Sequence, residues 1–189
     1  DCFGFIKMSF SDVTIKELIE NGKIKILPTF DNKNIRPAGI RLHLGDELLV
    51  PVPNQIVDLS NSSDIKYEKI KINEEGYTLK PGEFVLGTTV ESIHLSKDIV
   101  GKLDGRSTIA RLGLLIHCSS DTIDGNHEHS RSITLELKNI GNFNLIIKPN
   151  IPIAMVVFHK LTEQIQQKNQ TQYNNQTGVQ PPNLSGQLQ

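Results

Sequence analysis

Two stretches of the chain, LKPGEFVLGTTVESIHL (residues 79–95) and IKPNIPIAMVVFHKL (residues 147–161), follow one pattern. Each begins with an apolar residue and Lys-Pro, passes through a turn residue, Gly82 or Asn150, and continues as an apolar segment typical of a β-strand. Because only two copies occur, they indicate opposed turns of a barrel or jelly roll, and not the units of a solenoid.

Period-two alternation continues through most of the remaining sequence. The predicted strands lie around Ile24–Ile26, Ile40–Leu44 and Ile70–Ile72, and at 84–90, 114–118, 132–138, 144–147 and 153–159. One helix is predicted within SFSDVTIKELIENGK (residues 9–23), with Ser11 or Asp12 as its cap and Asn21-Gly22 as its end. Many short strands separated by turns predict a mainly β, closed or double-sheet fold.

Bulk composition limits the classes of partner. The 189 residues suit one domain, and a net charge of −1 gives no general attraction to nucleic acid or to an anionic membrane. No apolar run approaches the roughly 18 residues that cross a bilayer. The two cysteines, Cys2 and Cys118, form no disulfide framework, and they favour a reducing, cytoplasmic setting.

The two ends of the chain differ from its centre. Residues 1–7 are interpreted as an upstream extension or an expression remnant ahead of Met8, and residues 8–161 as the β domain. The segment 162–189 is rich in Gln, Asn, Pro and Gly, which is typical of disorder. The alternative is a flexible arm that orders over a ligand or a neighbouring subunit.

One polar turn, DGRSTIARLGL (residues 104–114), interrupts the strands. Gly105 permits a sharp entry, and a helix N-terminus with hydroxyl groups at Ser107 and Thr108 offers donors to phosphate. Arg106 and Arg111 are fork-shaped donors that suit phosphate oxygens. The spacing alone is equally compatible with a capped turn that carries solvated arginines.

Several blocks in order carry a family resemblance. They are IRPAGIRLHLGDEL (35–48), LKPGEFVLGTTVESIHL, DIVGKLDGRS (98–107), DGRSTIARLGLLIH with TID, ITLELKNIG, and YNNQTGV (173–179). Together they resemble the dCTP deaminase family of the trimeric dUTPase-like superfamily, from about Val13 to Val179. The resemblance implies a distorted β-barrel or jelly roll with a short N-terminal helix, and a homotrimer with sites between subunits.

The resemblance also implies residue roles. Arg106, Ser107 and Thr108 would hold the triphosphate, while Arg111 would sit near the base and orient the catalytic carboxylate, with Ser107 also in the catalytic group. The remaining roles are Asp124 at the deoxyribose, Glu136 as general acid/base, the backbone of Thr134 and Leu135 at the pyrimidine edge, and Tyr173 and Gln176 in a lid over the nucleotide.

Glu136 has two interpretations from its own surroundings. In SITLEL it alternates with apolar Ile133, Leu135 and Leu137, so it is either a charge on the solvent face of a strand or a placed carboxylate. Hydrolytic deamination needs a base that takes a proton from water and then returns it to the ring or to the leaving ammonia. The resemblance favours the second interpretation.

Metal chemistry is expected only through the substrate. The zinc deaminases carry H-x-E followed by P-C-x-x-C, and this sequence has no such pattern, so no zinc is expected. NHEHS (residues 126–130) offers two histidines and a glutamate, but no well-spaced ligands complete a site, and a solvated loop is the favoured interpretation. Mg²⁺ is expected to arrive with the nucleoside triphosphate, held mainly by its phosphates.

Three functions remain open at this stage. The favoured one is hydrolysis of dCTP to dUTP and ammonia, toward dUMP and dTTP synthesis, so the ligands would be dCTP, dUTP and dTTP. The alternatives are a bifunctional deaminase and diphosphatase that releases dUMP, or a dUTPase-like hydrolase, and a non-catalytic nucleotide sensor. The segment Ser120–Thr122 and the loop after Asp124 depart from the family pattern, which puts the sugar-side geometry in question.

Overall fold

A computed structural model describes residues 9–28, 30–59, 65–167, 173 and 176–184. The predicted extension at 1–7 lies outside these residues, as do parts of the 162–189 arm. The described helices are α1 (Asp12–Glu20) and the one-turn α2 (Ser107–Ala110), with a 3₁₀ turn at Asn32–Asn34. The strands are β1 Ile24–Leu27, β2 Ile35–Arg36, β3 Gly39–His43, β4 Glu47–Pro51, β5 Tyr67–Lys71, β6 Tyr77–Leu79, β7 Phe84–Leu95, β8 Ile99–Gly105, β9 Leu114–Leu115, β10 Thr122–Ile123, β11 Arg131–Asn139, β12 Leu145–Ile147 and β13 Pro152–Lys160.

Two antiparallel sheets enclose one apolar core. The first has the order β5-β4-β7-β11-β9, with β1 also paired to β7, and the second has the order β10-β8-β13-β3-β2. Alternate residues of both sheets point inward, such as Leu42 on β3, Leu135 on β11 and Phe158 on β13, all fully buried. This arrangement confirms the mainly β, double-sheet prediction. No helix within the described ranges is both long and apolar enough to cross a membrane.

The two similar sequence stretches occupy equivalent places. β6 and β12 precede the two turns and pair with each other in a small antiparallel sheet, with Leu145 opposite Leu79. Gly82 and Asn150 both adopt positive φ, +78° and +62°, a conformation that glycine and asparagine tolerate. The turns then lead into β7 and β13, one long strand in each sheet.

The short predicted elements show smaller differences. α1 begins after Ser11 as predicted, but the Ser11 hydroxyl makes no capping hydrogen bond. The strand predicted at 114–118 is shorter in the structure, where only Leu114–Leu115 (β9) is strand. Beyond β9, a single backbone hydrogen bond joins the chain to β11: Glu136 N–H donates to the carbonyl of Ile116. This departure positions the segment that follows beside the site.

Asn139, at the end of β11, holds three chain segments together inside the protein. It is fully buried, and its Nδ2 donates to the carbonyls of Leu79 (3.0 Å) and Phe143 (2.9 Å). Its Oδ1 accepts from the backbone N–H of Gly141 at 3.0 Å. Each of these backbone groups would be left without its partner if the amide were removed.

We therefore expect Asn139→Leu to lower the free energy of unfolding by roughly 2–5 kcal/mol, measured by denaturant unfolding. The matched control is Asn142→Leu in the same loop, where the side chain is exposed. That variant should stay within about 0.5 kcal/mol of the parent. Equal stability of the two variants would show that the Asn139 network contributes little.

Candidate active site

A cavity of about 360 Å³ opens between β11, the segment before β10 and the C-terminal residues. This volume lies in the range of small-ligand sites. Aromatic and aliphatic side chains make up about half of its wall, and polar or charged side chains the rest. The lining residues used below are Asp121, Arg131, Thr134, Glu136, Tyr173 and Gln176.

Glu136 reaches the cavity because of the alternation of β11. Leu135 and Leu137 are fully buried in the core, so Thr134 and Glu136 face the other way and are partly buried in the cavity wall. Leu135 could therefore contribute to recognition only through its backbone. The predicted alternation holds from Thr134 to Leu137. A register irregularity between Ser132 and Thr134 breaks it before that point, and Ile133 lines the cavity together with Glu136.

The Glu136 carboxylate is held by the next segment of the chain. Its Oε2 accepts a hydrogen bond from the backbone N–H of Cys118 at 2.7 Å. The Cys118 thiol donates weakly to the Glu136 carbonyl, with Sγ and O 3.8 Å apart. Burial raises the pKa of the Cys118 thiol, and the charge of Glu136 raises it further. One carboxylate oxygen is thus fixed, and Oε1 has no hydrogen-bond partner among the residues that the structure describes.

The C-terminal residues lie against the same cavity. Gln176 is buried, and its Nε2 donates to the Thr134 hydroxyl at 2.5 Å. The Tyr173 hydroxyl accepts from the backbone N–H of Asn183 at 2.9 Å. Val179 packs on Leu49 and Leu86, which anchors this stretch to the first sheet. The structure therefore brings Tyr173 and Gln176 together with Thr134 and Glu136.

The arginine turn lies apart from this cavity. α2 is one turn long, Ser107, Thr108 and Arg111 are exposed, and no residue of 106–111 lines the cavity. Arg106 Nη1 donates to the carbonyl of Pro152 at 2.6 Å. Burial lowers the pKa of the Arg106 guanidinium, and the charges of Arg41 and Arg36 lower it further. Within one chain, the residues predicted to bind phosphate therefore lie outside the cavity that contains Glu136, the predicted general acid/base.

Asp124 also stands outside the cavity lining. It is exposed just after β10. Arg131, at the start of β11, does line the cavity, and burial lowers the pKa of its guanidinium while the charge of Asp124 raises it. Asp124 is therefore close enough to Arg131 for their charges to interact, although it does not itself line the cavity.

Sequence reasoning missed Asp121 and Arg131 as cavity residues. The available signal was that Ser120–Thr122 departs from the family pattern at a point close after Cys118. For NHEHS, His127 is buried and Asn126 has a positive φ of 64°. Within the described ranges, no three His, Cys, Asp or Glu side chains come close enough together to share a metal ion.

Comparison with known proteins identifies the family of this chain. A family model described as dCTP deaminase-like matches residues 9–161. The dUMP-forming dCTP deaminase of Dictyoglomus thermophilum is 36% identical over 180 residues, which cover 90% of this chain and 92% of the relative. The dCTP deaminase of Rhodospirillum rubrum is also 36% identical, over 164 residues, covering 82% and 83% of the two chains.

One solved structure supports the fold. The 2'-deoxycytidine 5'-triphosphate deaminase of Agrobacterium tumefaciens superposes with a TM-score of 0.62 at 17% identity, and the match covers 81% of this chain and 46% of that one. The match of the family model and the identity of the relatives extend over most of the sequence. The chain therefore belongs to the dCTP deaminase-like family.

Proposed function

We propose that the protein deaminates dCTP to dUTP and ammonia. The observation that carries this proposal is the Glu136 carboxylate, fixed by the Cys118 N–H in the wall of a cavity of nucleoside size. The names of the relatives support the same substrate. A sensor would need the cavity but not a carboxylate placed there, so catalysis is favoured over binding alone.

The proposed reaction is an addition followed by an elimination. Glu136 takes a proton from a water molecule and passes it to N3 of the cytosine, while the resulting hydroxide forms a bond to C4. Glu136 then takes the proton of the new C4 hydroxyl and delivers it to the amino nitrogen, so that the C4–N4 bond breaks, ammonia leaves and the C4 carbonyl of uracil forms. Arg111 and Ser107 would orient Glu136 and the base in this scheme.

A second copy of the chain would complete the site. The phosphate donors of 106–111 lie outside the cavity that holds Glu136, and apolar side chains around α2 are exposed: Leu112 (45%), Ile140 (63%) and Phe143 (47%). Such a patch beside functional residues is typical of a subunit contact. The proposed assembly is a homotrimer in which Arg106, Ser107, Thr108 and Arg111 of one subunit serve the cavity of its neighbour.

The proposed domain division assigns 8–161 to the β domain and 162–189 to an arm that covers the nucleotide. The contacts of Gln176 with Thr134 and of Val179 with the first sheet support a closing role for the arm. Asp124 would contact the deoxyribose from the mouth of the cavity. Mg²⁺ would be held mainly by the triphosphate oxygens, since the described side chains offer no carboxylate cluster for it.

The identity of the product decides between two enzymes. Relatives of both names reach 36% identity, so these comparisons favour neither dUTP nor dUMP. Formation of dUMP needs a second water placed for attack on the α-phosphate, and Asp124 is the family-matched carboxylate on that side. It is exposed and follows a segment that departs from the family pattern, and a displacement of about 1 Å can cost roughly 10²-fold in rate. We therefore favour release of dUTP.

The base is tested by Glu136→Gln, which keeps the shape of the side chain and removes its proton acceptor. Turnover of dCTP, followed by ammonia release, should fall by at least ~10²–10⁴-fold. Nucleotide affinity, measured by calorimetry, should stay close to that of the parent. Near-normal turnover would remove Glu136 from the mechanism.

The shared site is tested by mixing two inactive variants, Glu136→Gln and Arg111→Ala, after dissociation and reassembly. Each variant keeps the residue that the other lacks. If the site draws on two subunits, random assembly gives one interface in four with both residues intact, so about one quarter of the parent's activity should return. Each variant reassembled alone is the control. A mixture no more active than its components would place the whole site in one chain.

The product is tested by incubating the protein with dCTP and Mg²⁺ and separating the nucleotides at early times. Ammonia should be matched by free dUTP, with dUMP a minor species. If dUMP instead forms at the rate of ammonia and no free dUTP is detected, the bifunctional assignment replaces ours.

A further inference from the structure

Asp121 lines the same cavity as Glu136. Asp121 comes three residues after Cys118, and the N–H of Cys118 donates to the Glu136 carboxylate. Three residues span at most about 11 Å of extended chain, so the backbone of Asp121 lies no further than this from the Cys118 N–H that binds Glu136. The proposed reaction does not use this second carboxylate.

Asp121 is fixed by its neighbours on β8 and β10. Its carbonyl accepts from the backbone N–H of Leu103 at 2.7 Å. Its Oδ1 accepts from Lys102 Nζ at 2.6 Å and from the Thr122 hydroxyl at 3.1 Å. Lys102 Nζ also donates to the Thr122 hydroxyl at 2.7 Å, and the two residues are opposite each other in the sheet.

This network determines what Asp121 can do. Among the described residues, both side-chain hydrogen bonds of Asp121 go to Oδ1, which leaves Oδ2 for a ligand in the cavity. The hydrogen bond from Lys102 holds the pKa of the Asp121 carboxyl below its ordinary value. The side chain is therefore an ionised, acceptor-only group at neutral pH. An acceptor-only group selects a ligand that presents a donor and disfavours one that presents a carbonyl oxygen.

Cytosine and uracil differ in their hydrogen-bonding group at C4, the atom at which Glu136 is proposed to direct the attack of water. Cytosine carries a 4-amino donor there, while uracil and thymine carry a carbonyl acceptor. We propose that Asp121 accepts a hydrogen bond from the 4-amino group of the bound cytosine nucleotide and so makes the site prefer dCTP over dUTP and dTTP. This inference rests on the proposed function, and it adds a specificity residue to it.

The alternative role of Asp121 is purely structural, as the partner of Lys102. Two variants separate the roles: Asp121→Asn removes the charge and adds an amide donor, and Lys102→Met removes the ion pair but keeps the carboxylate. The readouts are KM for dCTP and the inhibition constant for dUTP, with melting temperature and subunit assembly as checks on folding. Asp121→Ser is the second variant if Asp121→Asn fails to fold.

A charge-assisted hydrogen bond corresponds to about 10- to 100-fold in affinity. In Asp121→Asn, the ratio of the dUTP inhibition constant to the dCTP KM should therefore fall by at least about tenfold. In Lys102→Met, the ratio should stay within about threefold of the parent, even if both constants rise together.

An unchanged ratio in Asp121→Asn would overturn the inference, and so would an equal fall in both variants, because either result leaves only a structural role. The parent enzyme separates this failure from that of the proposed function. If the parent does not release ammonia from dCTP, deamination itself is wrong. The ratio of dCTP and dUTP dissociation constants, measured by calorimetry, then tests Asp121 without turnover.

Discussion

The hydrogen bond from the Cys118 N–H to the Glu136 carboxylate is the contact on which the rest of the site depends. It joins the segment that leaves β9 to the strand that carries the proposed base. β9 ends after two residues, but the chain stays beside β11, where Glu136 N–H donates to the carbonyl of Ile116. Asp121 follows in the same segment and lines the cavity. With one oxygen of the carboxylate fixed, the other oxygen is held in place as a proton acceptor that faces a bound nucleobase.

The residues that form the core and the residues of the proposed site lie on different faces of the sheets. The inner faces of the two sheets form one continuous core, mostly of Leu, Ile, Val and Phe. Thr134 and Glu136 stand on the opposite side of β11, and further polar cavity residues come from the start of β11, from the segment before β10 and from the C-terminal residues. The arm, the segment with Asp121 and the arginine turn all lie outside this core, so changes in them leave the core packing unaltered. In the proposed trimer, the cavity of one subunit receives the phosphate donors of another, so substrate binding would depend on assembly.

The sequence predicts those features that follow from local periodicity. The alternation of SITLEL places Leu135 in the core and Glu136 in the cavity, and Lys-Pro-Gly and Lys-Pro-Asn predict the two turns of positive φ. Contacts between distant residues were not predictable in this way. Arg106 bonds to Pro152, and Lys102 bonds to Asp121, because the register of β8 with β13 and β10 brings them together. The roles of Arg106, Asp124 and Tyr173 still rest on the family resemblance.

We propose that the cytosine base lies in the cavity between Glu136 and Asp121. The most direct measurement is a crystal structure of the Glu136→Gln variant with dCTP and Mg²⁺, in which the substrate is bound but not consumed. We expect C4 of the base beside residue 136, the 4-amino group within hydrogen-bond distance of Asp121, and the triphosphate at Arg106 and Ser107 of a neighbouring subunit. A nucleotide bound with its base outside this cavity would contradict this proposal.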